Sequence, residues 1–229
     1  AAIPDGVASI GNSVFADCAA LPQISIPNSV AEIGNSAFYG CTKLTEIVIP
    51  DGVTGIGINT FFGCTSLSAV HIPDRVTSIE KQAFDGCESL QSITIPNGVQ
   101  TIGNGAFQHC SGLAKISLPE SLTSISDYTF YACSNLTEIN IPGSITRIGE
   151  WAFHGCEKLA DVYYADTKNQ WEKIQIQADG NESLQNAAIH YKEDQAPPDP
   201  VIPDEPVLPV TTDAKEELQR LKPGDPLSL

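Results

Sequence analysis

Seven cysteines are the residues of this sequence best suited to chemistry, and they occur at one fixed interval. Each stands in the pattern Phe-x-x-Cys-x-x-Leu, and consecutive copies are 23 residues apart. Thiolates act as nucleophiles, bind metals and form disulfides, so these roles have to be weighed against a structural one. The seven are Cys18, Cys41, Cys64, Cys87, Cys110, Cys133 and Cys156.

The spacing favours the structural role. Copies stacked in register point the same way and stand about 4.8 Å apart, whereas disulfide partners turn toward each other with Cβ atoms about 3.8 Å apart. Structural zinc sites use close pairs such as Cys-x-x-Cys, and the sequence contains none. We therefore predict small, buried side chains at a crowded inner bend, with disulfides and metal binding as the alternatives.

The histidines do not supply a catalytic constellation. His71, His109 and His154 occupy different positions of the 23-residue unit, so stacking cannot bring them into one column, and His190 follows the repeats. No His-Glu-x-x-His, Gly-x-Ser-x-Gly or P-loop motif occurs. The sequence thus predicts no enzyme, no cofactor and no metal site.

The elements that position the cysteines follow from the repeat itself. The unit reads I-P-x-x-V-x-x-I-G-x-x-A-F-x-G-C-x-x-L-x-x-I-x. It contains an extended stretch ending at Ile-Pro, a second short extended piece, and an arc around Ala-Phe-x-Gly-Cys whose length suits one helical or 3₁₀ turn. No single unit can bury its apolar side, so we expect seven stacked units that share a continuous core. The units begin at Ile3, Ile26, Ile49, Ile72, Ile95, Leu118 and Ile141.

Glycine follows the second extended piece in five of the seven units, as at Gly34 and Gly57. Glycine adopts positive φ at no steric cost, so we expect a turn with positive φ at this position. Glu80 and Ser126 occupy the same position in two other units. The pair Gly103-Asn-Gly105 is interpreted as an ordinary part of its repeat.

The repeats are predicted to span residues 1–163, followed by three further regions. Residues 164–191 break the pattern and include Trp171, which we expect to cover the exposed end of the core. Residues 192–212 contain a proline at every third position from Pro197, typical of a polyproline II spacer. Residues 213–229 begin with a capping box at Asp213, which predicts a short helix and tail; the start of a further region is the alternative interpretation.

The repeat resembles the BspA-like class of leucine-rich repeats over residues 3–163, since seven units match at roughly ten positions each. This resemblance implies a right-handed solenoid with parallel strands on its concave side and short 3₁₀ or helical arcs on the other. Members of the family are mostly bacterial proteins that are secreted or displayed on the cell surface. Their proposed role is adhesion to host, matrix or microbial proteins.

Charge and hydropathy exclude several other partners. The net charge of −16 disfavours nucleic acid, which requires a basic surface. No run of 18 apolar residues occurs, so we predict no membrane insertion. Because the chain lacks Met and opens inside a repeat, we expect it to be a fragment. We expect a monomer in which the unpaired first unit allows weak end-to-end pairing.

Two outward columns are candidates for binding. Side chains alternate along a strand, so one residue between two inward isoleucines must point outward in each unit. The predicted partner-binding residues in this column, which begins at Ser25, are Val48, His71, Thr94, Ser117, Asn140 and Tyr163. The second column lies on the arc, is joined by Tyr128 and Trp151, and contains Ala16, Tyr39, Phe62, Asp85, Gln108, Tyr131 and His154.

The sequence therefore predicts a cell-surface or secreted module for protein interaction. Two alternatives remain open. The columns are equally the outer wall of a soluble scaffold, with the arc aromatics packing on neighbouring repeats. The array is then a structural spacer within a larger surface protein whose activity lies in other domains.

Overall fold

The computed structural model describes residues 1–195. The prolines from Pro197 onward and the predicted helix after Asp213 lie outside the described residues. The first four residues of the predicted spacer, Lys192–Gln195, form a short 3₁₀ helix, η1.

Parallel strands form two rows along the stack, and register shifts of 23 residues confirm the predicted solenoid. The long-strand row comprises β3 (Glu46–Val48), β5 (Ala69–His71), β8 (Lys115–Ser117), β10 (Glu138–Ile141), β12 (Asp161–Tyr164) and β14 (Ala188–His190). The short-strand row comprises β1 (Ser9–Ile10), β2 (Glu32–Ile33), β4 (Gly55–Ile56), β6 (Ser78–Ile79), β7 (Thr101–Ile102), β9 (Ser124–Ile125), β11 (Arg147–Ile148) and β13 (Gln175–Ile176).

The arcs connect consecutive repeats more regularly than the strands do. In the second repeat the amides of Ser36, Phe38 and Gly40 donate hydrogen bonds to carbonyls of the third repeat, at 2.8, 2.9 and 2.7 Å. The same three donors recur at each of the six junctions between the seven repeats. The arc is therefore a hydrogen-bonded ladder that runs without interruption through the repeat region.

Left-handed residues explain why each arc is a turn and contains no regular helix. Ser36 and Gly40 have φ values of 55° and 67°, and every other repeat places positive φ at the same two positions. Residues such as Gln82 and Trp151 adopt this conformation although it is uncommon for them. The junctions between repeats stabilise this left-handed conformation. It turns every second backbone amide of the arc toward the next repeat, where the amide donates a hydrogen bond to a carbonyl.

The expected reason for the glycine after the short strand was wrong. Positive φ falls two residues later, and Gly34 and Gly103 lie outside that region. A Cβ atom at Gly34 would approach the backbone nitrogen of Asn12 to 2.6 Å, and one at Gly103 would approach that of Lys81 to 2.5 Å. At Gly34 and Gly103 the backbone of the preceding repeat is therefore too close for a side chain.

One continuous core fills the stack, as predicted. Phe38, Phe61 and Phe84 are fully buried in the same cluster, with ring centroids 5.5 and 5.3 Å apart. Across the repeats the phenylalanine rings form a single column with spacings of 5.3–5.9 Å. The invariant apolar positions therefore meet their own copies, which is the basis of solenoid stability.

Six of the seven cysteines are buried beside this column, and each thiol has a specific partner. The Sγ of Cys64 donates to the carbonyl of Phe38 at 3.2 Å, and Cys87 donates to Phe61 at 3.3 Å. The Phe38 carbonyl also accepts the amide of Cys41 at 3.2 Å, so both of its lone pairs are used. The thiols are structural donors between repeats, in agreement with the favoured interpretation.

Residues 164–191 form an eighth, longer turn that closes the stack. Strand β14 pairs with β12 and β13 pairs with β11. Two short helices, α1 (Lys168–Trp171) and α2 (Glu182–Asn186), replace the arc. Trp171 is half-buried against the core and contacts Tyr164 edge to face, with ring centroids 5.2 Å apart.

Asn181 completes the arc ladder at this end. It is fully buried, and its Oδ1 accepts the amide of Phe153 at 3.2 Å, in place of the carbonyl that the next repeat would provide. Its Nδ2 donates to the carbonyls of Gly149 and Gln177 at 2.9 and 2.8 Å. The side chain therefore joins the last repeat to the closing turn.

Candidate functional site

The predicted outward column is a real surface row, but it is not continuous. Val48 lies beside His71 in one sheet, and Ser117, Asn140 and Tyr163 lie side by side in another. Thr94 belongs to neither sheet. We call the six predicted residues the outer row, from Val48 to Tyr163.

Exposure differs along the outer row. Val48 is 63% exposed, and His71, Thr94 and Ser117 are also exposed. Asn140 and Tyr163 are half-buried because they contact their neighbours. The Nδ2 of Asn140 donates to the Ser117 hydroxyl at 2.9 Å, and the Tyr163 ring stacks on His190 with centroids 4.7 Å apart. The end of the row near the closing turn is thus the more rigidly organised.

The long-strand row is interrupted in the fourth repeat, which the sequence did not indicate. Strand β5 pairs only with β3, and β8 pairs only with β10, within the residues that the structure describes. A cleft of about 290 Å³ lies beside the unpaired stretch. It is lined by Ile93, Thr94, Ile95, Lys115, Ile116 and Ser117. The outer row therefore has two halves separated by an open seam.

The arc carries a second surface, rich in aromatic rings toward the closing turn. Tyr128 stacks parallel to Trp151 with centroids 6.5 Å apart, and Tyr131 stacks on His154 with centroids 5.2 Å apart. Part of this column packs between repeats, as the alternative interpretation held, because Phe62 is half-buried and stacks on Tyr39 with ring centroids 4.8 Å apart. Tyr128, by contrast, is 40% exposed.

Asp85 is the one member of the arc column that carries a buried charge. It is 3% exposed, and its two carboxylate oxygens are each 3.0 Å from a partner, Gln82 Nε2 and His109 Nδ1. A buried carboxylate requires such partners. Asp85 consequently holds the Gln82 and His109 side chains in place on the arc.

A cleft of about 650 Å³ opens on the arc between these groups; we call it the aromatic cleft. Its lining residues are Lys81, Gln82, Asn104, Gly105, Gln108, His109, Tyr128, Tyr131 and Trp151. Gly105 is one of these lining residues. The interpretation of Gly103-Asn-Gly105 as an ordinary repeat segment therefore missed this site. The sequence signal for the cleft is the single glycine among larger residues at this position of the repeat. The column reads Ser13, Ser36, Asn59, Gln82, Gly105, Tyr128 and Trp151.

Burial keeps the thiols out of the surface chemistry. Desolvation raises the pKa of Cys41 to about 11 and the pKa values of Cys64 and Cys156 to about 12. A protonated, enclosed thiol is a poor nucleophile and metal ligand. Among residues 1–195, no three His, Cys, Asp or Glu side chains come together in a group that could hold a metal ion.

The stacked 23-residue units, the paired strand rows and the shared core define a leucine-rich-repeat solenoid. The model of the BspA type leucine-rich repeat region matches residues 1–89 and 54–181, in six copies. The chain belongs to this family.

Two solved structures illustrate the relationship. A leucine-rich repeat protein from T. pallidum is 36% identical, with a TM-score of 0.64, and the match covers 69% of this chain and 76% of that one. A leucine-rich repeat protein from Bacteroides ovatus ATCC 8483 is 29% identical, with a TM-score of 0.59, and the match covers 83% of this chain. The chain covers 62% of the Bacteroides protein. No curated protein sequence matches.

Repeat scaffolds of this class offer extended surfaces to other proteins. In the described part of the chain, none of the helices has the length and apolar character needed to cross a membrane.

Proposed function

We propose that this chain is a secreted or cell-surface module that binds a host, matrix or microbial protein through the outer row. The observation that carries this proposal is the contrast between positions. Inward residues repeat almost unchanged, whereas the outward position between them holds valine, histidine, threonine, serine, asparagine and tyrosine in turn. Solenoids use extended outward faces of this kind as binding surfaces.

The contacts within the row support a graded role for its residues. Tyr163 is held by its stack on His190 and Asn140 by its bond to Ser117, so both are pre-organised for contact. Ordered aromatic and amide side chains lose little entropy on binding, and tyrosine is enriched at energetically important contacts. At the other end of the outer row, the exposed apolar Val48 lies beside the exposed polar His71.

The proposed location follows from the family, whose members are mostly secreted or displayed. The proposed role is binding, because a repeat scaffold presents its side chains along an extended face. The alternative of a structural spacer predicts that no substitution on the outer row affects any interaction.

Binding to a panel of purified extracellular-matrix proteins tests the proposal, with the full chain as analyte in surface plasmon resonance. A variant carrying His71→Ala, Asn140→Ala and Tyr163→Ala should bind its matrix partner at least about tenfold more weakly. A matched variant carrying Lys43→Ala, Glu88→Ala and Glu157→Ala, three exposed residues outside the row, should bind normally. Equal binding by both variants, with circular dichroism showing that both are folded, would reject the outer row.

A further inference from the structure

The aromatic cleft exists because one side chain is missing from a regular column. At the first left-handed position of each arc the chain places an outward side chain, such as Gln82 or Tyr128, but the fifth repeat has Gly105 there. Two repeat spacings separate Gln82 from Tyr128, or about 9.6 Å. A Cβ atom at Gly105 would stand 3.0 Å from Gln108 Oε1 and 3.4 Å from Gln82 Cγ, so these two amide side chains border the gap closely and a ring has to enter on the Tyr128 side.

One wall of the gap is an aromatic face. The Tyr128 ring is 40% exposed and lies parallel to Trp151, with an angle of 4° between the planes. Since one face of Tyr128 is directed to Trp151, the opposite face is left toward Gly105. Aromatic faces attract the weakly positive C–H groups of a saturated ring as well as other aromatic rings.

The remaining walls are amides, which suit hydroxyl groups. Gln82 uses its Nε2 on Asp85, so its Oε1 remains an acceptor at the edge of the gap. Gln108 also lines the gap, with its Nε2 3.4 Å from His109 Nδ1 and its Oε1 beside Gly105 as a second acceptor. Adjacent hydroxyls on a sugar ring are themselves paired donors and acceptors. An aromatic face with amides at its edge matches the two sides of a pyranose, one apolar and one polar.

Charge narrows the choice of ligand. The chain carries 28 acidic residues against 12 basic ones, yet no exposed carboxylate lines the cleft, while Lys81 does. A cationic ligand is disfavoured by Lys81, and the parallel rings of Tyr128 and Trp151 do not form the cage that methylammonium groups require. A proline-rich peptide needs a groove with successive pockets, whereas the gap at Gly105 accommodates a single ring.

We propose that the aromatic cleft binds one pyranose unit of a glycan, neutral or acidic, stacked on Tyr128 and hydrogen-bonded by Gln82 and Gln108. A single sugar has few atoms, so the expected dissociation constant is about 1 mM. Glycans displayed at high density would reach useful avidity through many weak contacts. The site is separate from the outer row, and the proposal does not depend on it.

Saturation-transfer NMR tests the proposal with the full chain and the methyl glycosides of glucose, galactose, mannose, N-acetylglucosamine and glucuronic acid. At least one should bind, and Tyr128→Ala should weaken it by about tenfold. Gly105→Asn should abolish binding by filling the gap. Asparagine tolerates positive φ, and Asn59 holds that conformation at the same position two repeats earlier.

Three further measurements make the result decisive. Tyr39→Ala removes an arc aromatic outside the cleft and should leave sugar binding unchanged. The outer-row variant with three alanines should also bind the sugar normally. The proposal is overturned if no glycoside binds below about 10 mM, if binding survives both Tyr128→Ala and Gly105→Asn in folded protein, or if Tyr39→Ala abolishes it equally.

Discussion

The arc side and the strand side of this solenoid hold the repeats together in different ways. On the arc, three backbone amide hydrogen bonds cross every junction between the seven repeats. A buried thiol adds another hydrogen bond at each junction, from Cys41 in the second arc to Cys156 in the seventh. On the strand side, pairing stops in the fourth repeat, and β7 and β9 are likewise not joined in the short-strand row. The spacing of the stack is therefore set by the arcs.

This difference explains where variation is tolerated. Arc residues such as Phe38 and Cys41 meet their own copies in a closed interior, so any change in size or polarity is felt by both neighbours. The outer row stands on strands that need not pair everywhere, so its side chains are free to differ. A repeat protein can in this way keep its inward positions constant for stability while its outward positions vary.

The largest effect should come from breaking the phenylalanine column. Phe84→Ala removes a fully buried ring between Phe61 and Phe107 and should lower the free energy of unfolding by about 3–5 kcal/mol. Val48→Ala on the strand side should change it by less than about 0.5 kcal/mol. Urea unfolding followed by circular dichroism measures both; similar losses would show that the two sides do not differ.

The second-largest loss of stability should come from the junction between the last arc and the closing turn. Asn181→Ala leaves the buried amide of Phe153 without its acceptor and removes two further hydrogen bonds, so we expect a loss of about 2–3 kcal/mol in the free energy of unfolding. The exposed Asn135 provides the matched control, and its replacement by alanine should cost less than about 0.5 kcal/mol. If the control is as damaging as Asn181→Ala, the closing turn does not depend on this side chain.

Alkaline pH should weaken the arc side through its thiols. Thiols of the unfolded chain ionise near pH 9, whereas desolvation raises the pKa values of Cys64 and Cys156 to about 12 in the folded chain. Between these values the unfolded state has released protons that the folded state retains. Stability is therefore complete below pH 9 and falls as the pH rises, by about 1.4 kcal/mol per pH unit for each buried thiol.

Urea unfolding in reductant at pH 8, 9.5 and 10.5 measures this slope. Cys64→Ala should make the slope shallower by the contribution of one thiol. An unchanged slope in Cys64→Ala would mean that the buried thiols do not govern alkaline stability.

The smallest difference in stability should lie between the paired strands at Asn140 and the unpaired stretch at Thr94. Asn140→Ala removes the bond to Ser117 and should cost about 0.5–1 kcal/mol. Thr94→Ala lies in the unpaired stretch and should cost less than about 0.5 kcal/mol. Thermal unfolding of both variants under one condition measures the difference; a larger loss for Thr94→Ala would show that the seam is closed in solution.

The interior of this fold could be predicted from the sequence because each apolar position is repeated seven times at one interval. Phe38, Cys41 and Leu44 lie where the period requires them. The first left-handed position of each arc could not be predicted, since Ser36, Gln82 and Trp151 share no residue type and only the stacked carbonyls select their conformation. The backbone approach that requires Gly34 likewise exists only between two repeats.

The candidate sites were predictable to different degrees. Alternation of side chains along the strands predicts that the six residues of the outer row point outward. The seam beside Thr94, by contrast, depends on backbone hydrogen bonds that no residue type specifies. The aromatic cleft depends on an absence, the missing side chain of Gly105, and on the orientation that Asp85 gives to Gln82. Asn181 has no counterpart in the repeat, so its role appears only once the closing turn is folded.

The burial of Asn181 has a practical consequence for producing the protein. Asn181-Glu-Ser is an acceptor sequence for N-linked oligosaccharides in a eukaryotic secretory pathway, and so is Asn135-Leu-Thr. An oligosaccharide on the exposed Asn135 leaves the fold intact, but one attached to Asn181 before folding cannot be accommodated in the closed end of the stack. Yeast or mammalian secretion should therefore yield misfolded chains, and a bacterial host is the suitable source of native material.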